Sequence, residues 1–165
     1  MRVRRSVRTT DRAKIEALLR ATGFFNDEEV EVALELVDAR LEEGEGGHYR
    51  FLIAEDGGRV LGYACWGPIL GTQASVDLYW IAVDPGTQGR GVGRTLMAAA
   101  EAWVAAEGLS RVYVETSTRP QYVPTRAFYL RCGYELVAEL GDFYAPGDGK
   151  AIFVKVLSGP GHVRV

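Results

Sequence analysis

Apolar positions along the 165-residue chain recur with two periods, and the switches between them mark its elements. Val3 and Val7 alternate with arginines, which predicts a strand over residues 2–8. Asp11 or Thr10 stands where a helix would be capped, and Ile15, Leu18 and Leu19 follow at helical spacing. Phe24 and Phe25 lead into a second helix. Its first turn carries Asp27, Glu28 and Glu29, charges that suit a helix N-terminus. Val30, Leu34, Val37 and Leu41 mark its apolar side, and the glycine-rich run over 42–47 ends it as a loop. Residues 49–55 and 59–66, joined by Asp56-Gly57-Gly58, read as a hairpin. A third strand follows over 76–83.

A long helix is predicted over 92–107, with Val92, Leu96, Ala99, Trp103 and Val104 on one side and Gly108 as its stop. Residues 111–117 alternate again as a strand. Residues 125–132 form a short helix closed by Gly133. Two last strands, 135–143 and 151–157, flank a turn over 146–149. The order is strand, two helices, three strands, helix, strand, helix and two strands, without repeats or a linker. One mixed α/β domain over residues 1–165 is expected, with 158–165 as a loose tail. The strand–helix–strand unit over 76–117 should cross over right-handed with parallel strands.

Composition narrows the function classes. Almost half the residues are apolar, so a sizeable core is available, yet no run of about 18 apolar residues predicts a membrane helix. The basic start, MRVRRSVRTTDR, lacks the apolar stretch of a signal peptide and reads as a strand rather than a transit peptide. A net charge of −3 offers no basic field for a nucleic-acid backbone. Cys65 and Cys132 sit among apolar residues and read as small core residues. With two histidines and no secretory signal they point to a reducing cytoplasm and against a metal site.

The chemistry concentrates in LYWIAVDPGTQGRGVGRTL, residues 78–96. An apolar strand ends at Val83, Asp84-Pro85 breaks it, and Gln88-Gly89-Arg90-Gly91-Val92-Gly93 opens a helix. Glycines let backbone approach a ligand, and the first helical amides are unpaired and partly positive. Together they make a pyrophosphate cradle that needs no lysine. A Walker loop would need Lys after its last glycine, and Arg94 follows Gly93 at the wrong spacing. A dinucleotide fingerprint would match Gly89 and Gly91, but Arg94 takes the sixth place; Glu115 could supply its acid, so spacing is what counts against it.

The remaining reading is an acetyl-CoA site. Gln88-x-x-Gly91-x-Gly93 after Val83-Asp84-Pro85 resembles the signature of the GCN5-related N-acetyltransferase (GNAT) superfamily. Ala127-Phe128-Tyr129-x-x-x-Gly133-Tyr134 resembles its second landmark, and the element order over about 2–157 matches its fold. That fold is a mostly antiparallel mixed sheet with flanking helices and a central, splayed parallel strand pair. The resemblance implies that backbone groups of Ile81 and Val83 hold the pantetheine arm. The amides of Gln88, Gly89, Arg90, Gly91, Val92, Gly93 and Arg94 would hold the pyrophosphate, with Thr125 and Phe128 also on the cofactor side. Tyr129 matches the family tyrosine near the sulfur and is the implied general acid.

Acetyl transfer to an amine needs a base, because a lysine-type amine of pKa about 10.4 is mostly protonated at neutral pH. Asp77, on the strand face of Tyr79, Ile81 and Val83, is one candidate; a glutamate base stands at the matching place in the histone acetyltransferase branch. Glu115 in the neighbouring strand is the other. Asp142 and Tyr144 are expected on the acceptor side. Tyr122 departs from the pattern, since many members carry an asparagine there; Thr125 is the available substitute. The expected activity is acetyl transfer from acetyl-CoA to a primary amine of a small molecule or peptide, without metal, nucleic acid or membrane; a homodimer is left open. The alternative is a non-catalytic acetyl-CoA-binding sensor or interaction module. The acidic net charge disfavours a third reading, a tRNA-acetylating toxin.

Overall fold

The computed structural model describes residues 1–157. The tail over 158–165, expected to be loose, lies outside the described residues. The elements are β1 (Arg2–Arg4), α1 (Asp11–Thr22), α2 (Asp27–Glu43), β2 (Arg50–Asp56), β3 (Arg59–Pro68), β4 (Ser75–Val83), α3 (Val92–Ala106), β5 (Arg111–Ser117), α4 (Val123–Arg131), β6 (Glu135–Ala145) and β7 (Asp148–Val156). The strands form a seven-stranded sheet in the order β1-β2-β3-β4-β5-β7-β6. The fold is the mixed, mostly antiparallel α/β class expected, with one parallel pair. By contact density the chain divides into two compact units, Met1–Gly67 with Tyr79–Ala102, and Pro68–Leu78 with Trp103 onward.

In the first unit, β1, β2 and β3 pair antiparallel, with Val3 opposite Ala54 and Ile53 opposite Tyr63. The apolar faces of α1 and α2 close over them. Ile15, Leu19, Val30, Leu34, Val37, Phe51, Ile53 and Tyr63 are buried in one cluster, each worth about 1.5–3 kcal/mol of burial. Phe51 and Tyr63 stack at 6.1 Å, and Trp80 meets Phe25 edge-on at 5.1 Å. Asn26 starts α2 with a capping box: its side chain accepts from Glu29 N–H while Glu29 accepts from Asn26 N–H. The lysine Lys14 of α1 donates to Gly58 O at 2.9 Å.

The first strand departs from the alternation read in the sequence. It ends at Arg4, not residue 8, because Arg4 turns inward instead of facing solvent. Its guanidinium bonds Asp11 twice, at 2.6 and 2.8 Å, and Glu55 at 2.9 Å, and it also donates to Ser6 O. Asp11 accepts a further bond from Arg8 N–H, so it anchors this network and does not cap α1; Thr10 precedes the helix without a side-chain cap bond. Burial alone would raise the Asp11 carboxyl, but the bonds from Arg4 and Arg8 outweigh it and hold it below its ordinary value.

In the second unit, β4 and β5 form the parallel ladder, from Ser75 opposite Arg111 to Leu78 opposite Val114. β7 pairs antiparallel with β5 and with β6. The last hairpin is longer than expected: β6 runs on to Ala145 and β7 starts at Asp148, so only Pro146-Gly147 form the tip. Gly147 takes φ 79°, and its N–H donates to Asp142 Oδ1 at 2.7 Å. A 3-10 turn at Pro120–Tyr122 leads into α4, which therefore begins at Val123 instead of 125. Cys65 is fully buried as expected, whereas Cys132 is only half-buried; its carbonyl accepts from Lys155 Nζ at 2.8 Å.

Candidate functional site

The cradle belongs to the first unit. After β4 the chain turns at Asp84, whose N–H donates to Leu61 O at 2.8 Å and whose carboxylate accepts from Gly86 N–H at 2.8 Å. Arg59 Nη2 holds the other carboxylate oxygen at 2.5 Å, and these bonds lower the Asp84 pKa, the arginine contributing most. Thr87 is buried, and its hydroxyl donates to Asp84 O at 2.9 Å. The loop is thus fixed to β3 before the glycines begin.

Gly89 and Gly91 then take φ 79° and 78°, in the left-handed region that L side chains avoid. A Cβ at either position would meet nothing within 4 Å, so neither glycine is there for packing. The first bond of α3 is Thr95 N–H to Gly91 O at 2.9 Å, which leaves the amides of Val92, Gly93 and Arg94 ahead of the helical ladder. Arg90 and Arg94 are exposed beside them. Such an end carries partial positive charge and suits a pyrophosphate. Gly62 of β3 backs the cradle: a Cβ there would stand 2.8 Å from Ala82 O and 3.2 Å from Val92 and Leu96 side-chain carbons. Ile81 and Val83, expected to hold the pantetheine, are half-buried at the end of β4.

The expected catalytic groups belong to the second unit. Tyr129 is buried on α4, its ring 5.8 Å from Phe153 and 5.7 Å from Phe128. Burial pushes its phenol pKa up, so the hydroxyl stays protonated and available to donate. Asp77 is half-buried on β4 opposite Tyr113, and Glu115 follows two residues later on the same face of β5. Glu115 is engaged: Lys150 Nζ binds its carboxylate at 2.7 Å and lies 4.0 Å over the Phe143 ring. Tyr144 is half-exposed beside this cluster, and its phenol is raised by burial. Ser117 donates to Asp148, which also binds Arg119 at 3.2 Å. Arg126 donates to the carbonyls of Ser117 and Arg119, tying α4 to the end of β5. Thr125 and Phe128 are half-buried, and Arg119 lies 5.5 Å over the ring of Tyr122.

The sequence reading missed Lys150, Arg59 and Thr87, whose partners Glu115, Asp84 and Leu61 lie 25 to 35 residues away in the chain. Among the described residues no group of three His, Cys, Asp or Glu side chains could hold a metal ion, and no helix is long and apolar enough to cross a membrane.

The chain is similar to known proteins. The model of the acetyltransferase (GNAT) family matches residues 13–134, a span that includes both the cradle and Tyr129. Mycothiol acetyltransferase from Beutenbergia cavernae is 32% identical over 131 residues, which cover 78% of this chain and 43% of that protein. The chain therefore spans less than half the length of this curated relative. A GNAT-family structure from Desulfovibrio desulfuricans superposes with a TM-score of 0.93 at 40% identity, covering 95% of this chain and 99% of that one. An aminoglycoside 6′-N-acetyltransferase complexed with coenzyme A superposes with a TM-score of 0.77 at 18% identity, covering 98% and 100%, a likeness of fold. The chain belongs to the GNAT acetyltransferase family.

Proposed function

We propose that this chain transfers an acetyl group from acetyl-CoA directly to a primary amine of a small molecule or peptide. The observation that carries the reading is the loop ahead of α3, where Gly89 and Gly91 take positive φ with open space at their Cα, and the amides of Val92, Gly93 and Arg94 precede the helical ladder. A diphosphate fits that geometry, with Gln88 through Arg94 as its cradle and Arg90 and Arg94 as countercharge. Ile81 and Val83 would hold the pantetheine by their backbone, with Thr125 and Phe128 contributing to the cofactor side.

In the reaction the amine nitrogen attacks the thioester carbonyl, the carbon–sulfur bond breaks, and a thiolate leaves. Tyr129, kept protonated by burial, donates to that thiolate. Asp77 and Glu115 are the two candidate bases, and Glu115 is ion-paired with Lys150 at 2.7 Å. The names of the relatives support an amine acceptor in part: one acts on an aminoglycoside amine. We place the reaction in the cytoplasm, in keeping with a sequence that holds only two cysteines.

The test is release of free thiol from acetyl-CoA in the presence of polyamines, amino acids, aminoglycosides or peptides with free N-termini. Amine-dependent release is the expected result. Tight coenzyme A binding with no release for any amine would replace the enzyme by the sensor reading.

A further inference from the structure

Sequence reasoning gave no role to His48, yet the structure builds a site around it. His48 lies in the segment between α2 and β2, and its Nε2 is 3.0 Å from Tyr79 Oη on β4. Tyr49 packs edge-on against both rings, at 5.0 Å from His48 and 5.5 Å from Tyr79. The backbone of His48 is held from two sides. Its N–H donates to Glu43 at the end of α2 at 3.3 Å, and its carbonyl accepts from Arg50 of β2 at 2.8 Å.

Gly67 of β3 makes room for the pair. Its φ is not in the left-handed region, so backbone freedom is not the reason for a glycine there. A Cβ would stand 2.8 Å from His48 Nε2 and 3.0 Å from a Tyr79 ring carbon. The floor of the site is therefore kept bare for the His–Tyr hydrogen bond. Tyr79 is 38% exposed, so the outer end of the pair reaches solvent. It stands two residues from Asp77 and two from Ile81, on the same face of β4 by strand alternation.

We propose that Tyr79 and His48 form the proton relay that deprotonates the acceptor amine. The inference rests on the acetyl-transfer reading and adds the proton's destination to it. A base must lie within hydrogen-bond reach of the proton it takes, and the His48 imidazole is the acceptor that the Tyr79 hydroxyl reaches. With the proton on Nδ1, His48 Nε2 accepts the Tyr79 hydroxyl proton while Tyr79 Oη takes one from the acceptor ammonium. The neutral amine then attacks the thioester carbonyl, a C–N bond forms, and the C–S bond breaks. The proton shed by the new amide nitrogen restores Tyr129, which has given its own to the thiolate, and the imidazolium returns its proton to water. Among the described residues, Tyr79 and Tyr49 meet the imidazole itself, while Glu43 and Arg50 are bonded to the His48 backbone.

The test is the pH profile of kcat/KM for the wild type, His48→Gln and Tyr79→Phe, with coenzyme A affinity measured alongside. In the wild type kcat/KM should rise across the imidazole range, about pH 5 to 8. Both variants should lose that rise, fall by about 10-fold or more at pH 7, and approach the wild type at alkaline pH where the amine deprotonates unaided. Coenzyme A affinity should stay the same. Wild-type pH profiles in both variants, or a loss uniform at every pH, would overturn the relay. Should His48→Gln fail to fold, Tyr79→Phe decides alone. Absence of turnover with any amine in the wild type would instead count against acetyl transfer. For that case NMR titration of the His48 ring supplies a readout without turnover: its midpoint should move in Tyr79→Phe, and an unmoved midpoint overturns the pairing.

Discussion

The glycine loop ahead of α3 and the polar cluster at the end of β5 present their chemistry by opposite means. The loop uses backbone: Gly89 and Gly91 bend it, and the amides of Val92, Gly93 and Arg94 are its donors. The cluster uses side chains: Glu115, Lys150, Ser117, Asp148 and Arg119 satisfy one another across β5 and β7. A backbone site depends on the absence of side chains and tolerates changes of charge around it. A side-chain site can be retuned one residue at a time. The contrast fits a constant cofactor on one side and a variable acceptor on the other.

Substitutions can break or sharpen that contrast, and the largest effect is expected in the loop. Gly91→Glu combines a strained φ with a carboxylate in the proposed phosphate position, and it should abolish coenzyme A binding in calorimetry; unchanged affinity would falsify the cradle. Asp11→Ala, outside both sites, leaves the buried Arg4 with Glu55 as its remaining carboxylate partner, and should cost about 1–3 kcal/mol in urea unfolding with the cradle's affinity intact. Because the Asp11 carboxyl lies below its ordinary value of 3.8, its contribution is complete above about pH 4. It should fade as pH falls through the folded value, and acid unfolding of the wild type but not of the variant should show it. Tyr129→Phe should lower kcat by about 100-fold while the dissociation constant of coenzyme A holds, and equal kcat would reduce Tyr129 to packing.

Gly62→Ala tests whether the cradle relies on its support. Its Cβ would press on Ala82 O, with an expected cost of about 1–3 kcal/mol and weaker coenzyme A binding. A fully stable variant with native affinity would show that β3 and α3 part easily. The smallest effect is expected in the cluster. Lys150→Met removes one part-exposed ion pair, worth about 0.2–1 kcal/mol, and should change KM for the amine rather than kcat.

The loop was legible in the sequence because backbone chemistry leaves a local trace. Gln88-x-x-Gly91-x-Gly93 after Asp84-Pro85 states where the strand stops, where the chain bends and where α3 begins at Val92. The element order was legible for the same reason, from periods that change within a few residues. What failed was non-local. Arg4 looked like one more solvated arginine in an alternating run, because nothing near it shows that Asp11 and Glu55 wait inside. Lys150 on Glu115 and His48 on Tyr79 join residues more than 30 apart, and no spacing rule anticipates either. Asn26 was different: its capping box with Glu29 is local and readable, but the neighbouring acids drew the reading toward charge alone.

The three lysines of the chain are all occupied. Lys14 is spent on the carbonyl of Gly58, Lys150 on Glu115 and Lys155 on the carbonyl of Cys132. The other sixteen side-chain cations are arginines, which keep their protons and make poor nucleophiles. A protein proposed to handle an activated acyl donor thereby offers that donor almost no side-chain amine of its own to modify. Three lysines against sixteen arginines leave few side-chain amines to compete with an acceptor.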